Sequence, residues 1–144
     1  MAVVAAVDAG DSDSGVIEEA DRLADALETE LIAVHVVDRE EFVSAEVHAM
    51  DEGGTPMQPE QMREYATGVA AEVAAAAGVE ATPVGLVGDI ATQLDTYARE
   101  HAVSHIVVDG RKRSPIGKVV FSAVTQQIML ASAVPVVAVL HDAR

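Results

Sequence analysis

The sequence predicts an α/β domain built on a doubly wound, five-stranded parallel sheet, and three observations carry that expectation. The strand candidates are continuous apolar runs, as strands covered on both faces require. They take turns along the chain with stretches whose apolar residues recur at helical spacing. At 144 residues and 50% apolar, the chain has the size of one domain and enough apolar content to fold around a core.

The first run, Val3 to Val7, ends at Asp8 and enters a turn-rich stretch that reaches Gly15. Val16, Ile17, Ala20, Leu23, Ala24 and Leu27 then form one helical stripe, with Ser12 or Ser14 as the expected N-cap. Leu31 to Val37 is the second strand, closed by Asp38. From Arg39 to Gln58 no clear period emerges, and Gly53-Gly54-Thr55-Pro56 reads as a loop. Pro59 suits the first position of a helix whose buried stripe is Met62, Tyr65, Ala66, Val69, Val73 and Ala76, with Gly78 as its stop. Ala81 to Val87 is the third strand, and Asp89 can cap a helix that turns Ile90, Leu94, Tyr97 and Ala98 inward. His105 to Val108 is the fourth strand and leads into the loop Asp109–Gly117. A helix from about Lys118 to Ser132 follows, and Pro135 opens the last strand, Val136 to Leu140. No internal repeat or linker divides the chain, so residues 1–144 are read as one domain.

Composition removes several functions. There is no cysteine, which excludes disulfides, thiolate catalysis and cysteine-based zinc sites. No G-x-S-x-G elbow and no H-E-x-x-H pair is present, so no dedicated hydrolytic apparatus can be assembled and no metal site is expected. Asp11 and Asp13 echo the start of a calcium loop, but Arg22 stands where the closing glutamate would fall. His35, inside a predicted strand, reads as a satisfied core residue. With 24 acids against 9 bases the net charge is −15, which makes a broadly basic nucleic-acid surface improbable. The acidity, the two lysines and the wealth of small residues fit a protein kept soluble at high salt, and a halophile is the expected source. No apolar stretch approaches the roughly 20 residues that span a bilayer. The N-terminus lacks a basic leader region, so a cytoplasmic location is expected.

In a doubly wound sheet, ligands bind beyond the carboxyl ends of the strands, where the winding reverses. Asp8, the loop after Val37 and the loop Asp109–Gly117 should share that rim. The last of these is distinctive: Arg111, Lys112, Arg113 and Lys118 place four of the nine bases within eight residues. Backbone N–H groups at a helix start, with cationic side chains nearby, suit a phosphate. The same cluster can also be a solvated basic turn that offsets acids elsewhere. It is not a Walker A loop, because six residues separate Gly110 from Gly117 and Val119 follows Lys118. Asp8 can accept hydrogen bonds from an adenine or a ribose, or cap the loop that follows it.

Taken together, Val7-Asp8 after the first strand, Ala33-Val34-His35-Val36-Val37-Asp38, Val87-Gly88-Asp89 before a helix, and the closing stretch His105 to Val139 resemble the universal stress protein family. The resemblance covers nearly the whole chain in the same element order. It implies a Rossmann-like sheet of order 3-2-1-4-5, of the adenine nucleotide alpha hydrolase type, and a homodimer formed through the last strand, Pro135 to Leu140. It also implies a stress-response role without a dedicated enzymatic activity, and an unknown protein partner. Members that bind ATP carry Gly-x-x-Gly, nine residues, then Gly-Ser/Thr after the fourth strand. Aligning Ser122-Ala123-Val124-Thr125 with the end of that motif puts Asp109, Lys112, Ser122 and Ala123 at its four signature positions, all departures. A one-residue shift would recover Gly110 alone. The adenosine side is better preserved, with Asp8, Val36 and Val108 at positions that contact the base in the family. The resemblance therefore implies a site for ATP or another adenine nucleotide, with Arg111, Lys112 and Arg113 replacing glycine backbone by charge and the amides of Ala123 and Val124 at the helix start. The alternative is a family member that binds no nucleotide and acts through its dimer surface.

Overall fold

The computed structural model describes residues 1–9, 15–51, 58–112 and 121–141. The elements run β1 (Ala2–Ala6), α1 (Val16–Ala26), β2 (Glu30–Val37), α2 (Arg39–Asp51), α3 (Pro59–Ala76), β3 (Thr82–Val87), α4 (Ile90–Glu100), β4 (Val103–Lys112), α5 (Ala123–Ala131) and β5 (Val136–His141). The five strands form one sheet of order β3-β2-β1-β4-β5 in which every pairing is parallel. The chain thus winds outward through β2 and β3, then returns to the other side of β1 to add β4 and β5. The winding reverses between β1 and β4.

Strand side chains alternate between faces, and both faces here are covered. Ala2, Val4, Ile32, Val34, Ile106 and Val108 pack with Ala91, Leu94 and Ala98 of α4 and Ile128 of α5. Val3, Ala5, Leu31, Ala33 and Val107 face the opposite way, against Val16, Ile17 and Ala20 of α1 and Ala70 and Val73 of α3. This double burial is why the strands read as unbroken apolar runs.

Several helix ends match the sequence reading. Pro59 is at the start of α3, where Gln58 and Gln61 form a capping box, and Gly78 follows the helix at φ 68°. Asp89 caps α4 by accepting the Thr92 N–H at 3.1 Å. The start of α1 is different: its N-cap is Gly15, at φ 77°, while Ser12 and Ser14 lie outside the described residues.

Three expectations need correction. The segment after Arg39 is not irregular but is the helix α2. Its first turn is held by Asp38, whose Oδ1 accepts the Glu41 N–H at 2.9 Å. The apolar stripe is weak because Val43 and Val47 remain half exposed, with Phe42 packing toward Val37 and Met62. Gly53 to Pro56 lie outside the described residues. The second correction concerns β4, which does not stop at Val108 but continues through Lys112. Asp109 pairs with Val139 and Lys112 with His141 across an irregularity in the ladder, so the start of the expected loop is strand. Gly110 is a packing glycine there: a Cβ on it would come within 2.8 Å of Leu140 Cδ2 and 3.0 Å of the Ala138 Cβ. The third is α5, which begins at Ala123 after a Ser122 N-cap, not near Lys118.

Helix α3 crosses β3 where the strand carries Gly85. A Cβ at that position would lie 2.3 Å from the Arg63 carbonyl oxygen and 2.4 Å from the Thr67 amide nitrogen. Both are backbone atoms and cannot rotate away. Gly85→Ala should therefore destabilise the fold by about 1–3 kcal/mol, the usual cost of overpacking. Urea unfolding against the parent protein checks this; an unchanged midpoint would mean that α3 does not sit directly on β3.

Candidate functional site

At the carboxyl ends of the strands, where the winding reverses, lies a cleft of about 250 Å³. Its floor is apolar, formed by Val34 and Val36 of β2, Val108 of β4 and Leu94 of α4. Its polar lining comes from Asp8 after β1, Asp38 and Glu41 at the start of α2, Asp109 of β4, and Ser122 and Thr125 at the start of α5. A larger hollow of about 720 Å³ lies at the opposite ends of β2 and β3, walled by alanines and by Asp21, Asp25, Glu30 and Glu80. The smaller cleft is the candidate, because it sits where the loops of a parallel sheet converge.

On the α5 side the polar groups are tied to one another. Ser122 Oγ accepts the Thr125 N–H at 3.1 Å and donates to Thr125 Oγ1 at 2.9 Å. Thr125 Oγ1 in turn donates to the Asp109 carbonyl oxygen at 2.8 Å. Thr125 is buried, and this bond ties the first turn of α5 to β4. The amides of Ala123 and Val124 have no intrahelical acceptor, as in any helix start, and carry the positive end of the helix dipole.

On the β2 side His35 is 1% exposed. Its Nδ1 is 2.7 Å from the Val7 carbonyl oxygen, and its Nε2 is 2.9 Å from Glu41 Oε2. Asp8 Oδ1 lies 3.5 Å from Nδ1. The expectation of a satisfied core histidine holds, and the partners place it directly behind the cleft wall. Burial, followed by the nearby Glu41 carboxylate, holds the Tyr65 phenol of α3 above its ordinary value of 10.0.

Of the residues singled out in the sequence, Asp8, Val36, Val108, Asp109, Ser122, Val124 and Thr125 line this one cleft. Ala123 is exposed beside it at the first position of α5. The backbone of Arg111 and Lys112 closes β4, while their side chains and all of Arg113 and Lys118 lie outside the described residues. Sequence reading missed Glu41, Ile90, Leu94 and Ile128 as cleft residues. The spacing Asp38-x-x-Glu41 was the available signal for the first of these, since it is a helix-start pattern. Among the described residues no group of three or more acidic or histidine side chains could hold a metal ion, and no helix is long and apolar enough to cross a membrane.

Raised phenol values have a definite sign in stability. The fold favours neutral Tyr65, so its contribution is complete below 10.0 and is lost as pH rises through the higher folded value. Tyr97, raised by burial and then by Glu30, acts in the same direction. Tyr65→Phe should flatten the fall in stability above about pH 10, read by urea midpoints at stepped pH. An identical alkaline slope in the variant would remove Tyr65 from this account.

The universal stress protein family profile matches residues 1–139. Among solved structures, a universal stress protein from Archaeoglobus fulgidus aligns at TM-score 0.62 with 23% identity, covering 96% of this chain and 98% of that one. A universal stress protein from the same organism in complex with dAMP aligns at 0.58 with 18% identity, covering 96% and 97%. An Arabidopsis thaliana family protein with AMP bound aligns at 0.58 with 14% identity, covering 99% and 93%. No curated protein sequence matches the chain.

Proposed function

Because the chain belongs to the universal stress protein family, we propose that it is a stress-response protein that binds an adenine nucleotide, ATP or AMP, in the cleft at the carboxyl edge of its sheet. The observation that carries this reading is the convergence, at the β1/β4 reversal, of Asp8 and Val36 with the start of α5. The structural relatives with dAMP and AMP bound support it at the level of the family. Asp8 and the backbone near Val36 and Val108 take the base and ribose as hydrogen-bond partners. The amides of Ala123 and Val124 take phosphate, with Arg111, Lys112 and Arg113 supplying charge from the strand end and beyond. No general base is assigned, so the protein is read as a sensor and not an enzyme.

The protein acts as a cytoplasmic homodimer joined through the last strand, Pro135 to Leu140. Among the described residues β5 is paired on one edge only, and an exposed parallel edge calls for a cover. A second reading, a family member that binds no nucleotide and works through this dimer surface, is favoured by the carboxylates that line the cleft and by the hydroxyls of Ser122 and Thr125 being bonded internally. The high net negative charge further supports a protein adapted to molar salt.

Protein purified in high KCl and then denatured should release a stoichiometric adenine nucleotide, detected by anion exchange at 260 nm. Replacing Arg111, Lys112 and Arg113 together by alanine should abolish nucleotide affinity with fold and dimer intact. Unchanged affinity in that variant would overturn the phosphate assignment, and an empty protein that ignores added ATP would leave the interaction reading. Lowering KCl should reduce the melting temperature, since self-repulsion among acids is then unscreened; a melting temperature indifferent to KCl would refute the high-salt adaptation.

A further inference from the structure

His35 is a titratable group that none of the preceding roles uses, and its surroundings fix a proton count. Nδ1 faces the Val7 carbonyl oxygen at 2.7 Å, with Asp8 Oδ1 behind it at 3.5 Å. Nε2 faces both oxygens of Glu41, at 2.9 Å and 3.1 Å. Every partner is therefore an acceptor. A carbonyl can only accept, so Nδ1 carries its hydrogen, and a neutral imidazole then has none left for Nε2. Its lone pair would then point at a carboxylate across a hydrogen-bond distance, from a ring that is 1% exposed toward a side chain that is 30% exposed.

We infer that His35 and Glu41 hold one shared proton between Nε2 and the carboxylate, and that this proton fastens the first turn of α2 to the wall of the cleft. His35 is in this sense the positioning residue of that wall. The groups that face the pair come from three places. Asp8 stands at the end of β1, Asp38 before α2 holds the Glu41 amide at 2.9 Å, and the Tyr65 phenol of α3 lies near the same carboxylate. Apart from His35, all of these are acids, so loss of the proton adds repulsion that no neighbouring cation among them relieves. Without that proton the start of α2, with Asp38 and Glu41, loses its fastening to β1 and β2, and the cleft loses one side. This device does not depend on which ligand the cleft takes.

Hydrogen exchange and histidine ring ¹⁵N shifts, compared in the parent protein, Glu41→Gln and His35→Asn, test the inference. Glutamine at 41 can donate its amide to the Nε2 lone pair, so the contact closes with no extra proton. In the parent at neutral pH, Nε2 should show the shift of a protonated nitrogen, and protection of the first α2 amides should exceed that in His35→Asn about tenfold or more, the scale of one charge-assisted bond, while β1 and β2 amides keep theirs. In Glu41→Gln the α2 protection should be kept, and Nε2 should show the shift of an unprotonated nitrogen. His35→Asn keeps a donor for Val7 and should leave α2 weakly protected throughout. An unprotonated Nε2 in the parent, or a protonated one in Glu41→Gln, overturns the proposal. Should His35→Asn fail to fold, the parent and Glu41→Gln decide it alone.

Discussion

The rim of this protein depends on β1 being bonded on both edges and buried on both faces. Val4 lies between Ile32 and Ile106 in register, and Val3, Val4 and Ala5 are almost wholly inaccessible. A strand held in this way cannot slide, because a one-residue shift would exchange its two apolar faces and misplace every neighbour. Its end is therefore a fixed point. Val7, whose amide donates to the Val34 carbonyl at 2.9 Å, extends that fixity past the last strand residue and delivers Asp8 to the cleft.

The two sides of the cleft are fixed to β1 by different physics. The α5 side is anchored by neutral hydrogen bonds among Ser122, Thr125 and the Asp109 carbonyl, with Ile128 seated in the core below. None of these groups titrates near neutral pH. The α2 side has a weak apolar stripe and little packing on the sheet, with Phe42 as its main apolar contact. Its attachment falls to polar groups: the Asp38 cap and the His35–Glu41 pair. Polar anchoring of a surface helix is more responsive to conditions than apolar anchoring, since area removed from water does not change with protonation.

The same contrast decides what was legible in the sequence. Strands and helices whose identity rests on burial were readable, because a two-sided parallel sheet writes itself as apolar runs and an amphipathic helix as a 3.6-residue stripe. Pro59, Gly78 and Asp89 marked helix ends by backbone and capping chemistry that is local. What escaped was set by contacts far along the chain. Helix α2 has no strong stripe to read, only the local pattern Asp38-x-x-Glu41. The extension of β4 through Lys112 comes from pairing with β5, some thirty residues away, and Gly110 looked like a loop glycine because its reason, the Leu140 side chain, lies on the partner strand. Asp8 and Asp109 followed from topology, and Val36 and Val108 from the family resemblance, whereas Leu94 and Ile128 joined the cleft only once helix packing was known.

Charge sets the terms on which this cleft can hold a nucleotide. Its carboxylates, Asp8, Asp38, Glu41 and Asp109, sit in a chain of net charge −15 and would oppose a triphosphate pushed deep among them. The same groups suit the nucleoside half, whose exocyclic amine and hydroxyls are donors. On the nucleotide reading the phosphates therefore belong at the outer, α5 side, where the Ala123 and Val124 amides meet the basic strand end. Molar salt sharpens this division. With a Debye length of about 3 Å at 1 M, ion–ion attraction from exposed lysine and arginine weakens strongly, while hydrogen bonds made at contact distance persist. On that reading the amides and the carboxylates keep their contacts in such a medium, and the charge of Arg111, Lys112 and Arg113 must act close to the phosphate to survive screening. A phosphate site that exchanged glycines for side-chain charge would then need that charge at contact distance, which four bases within eight residues can provide without a broadly basic surface.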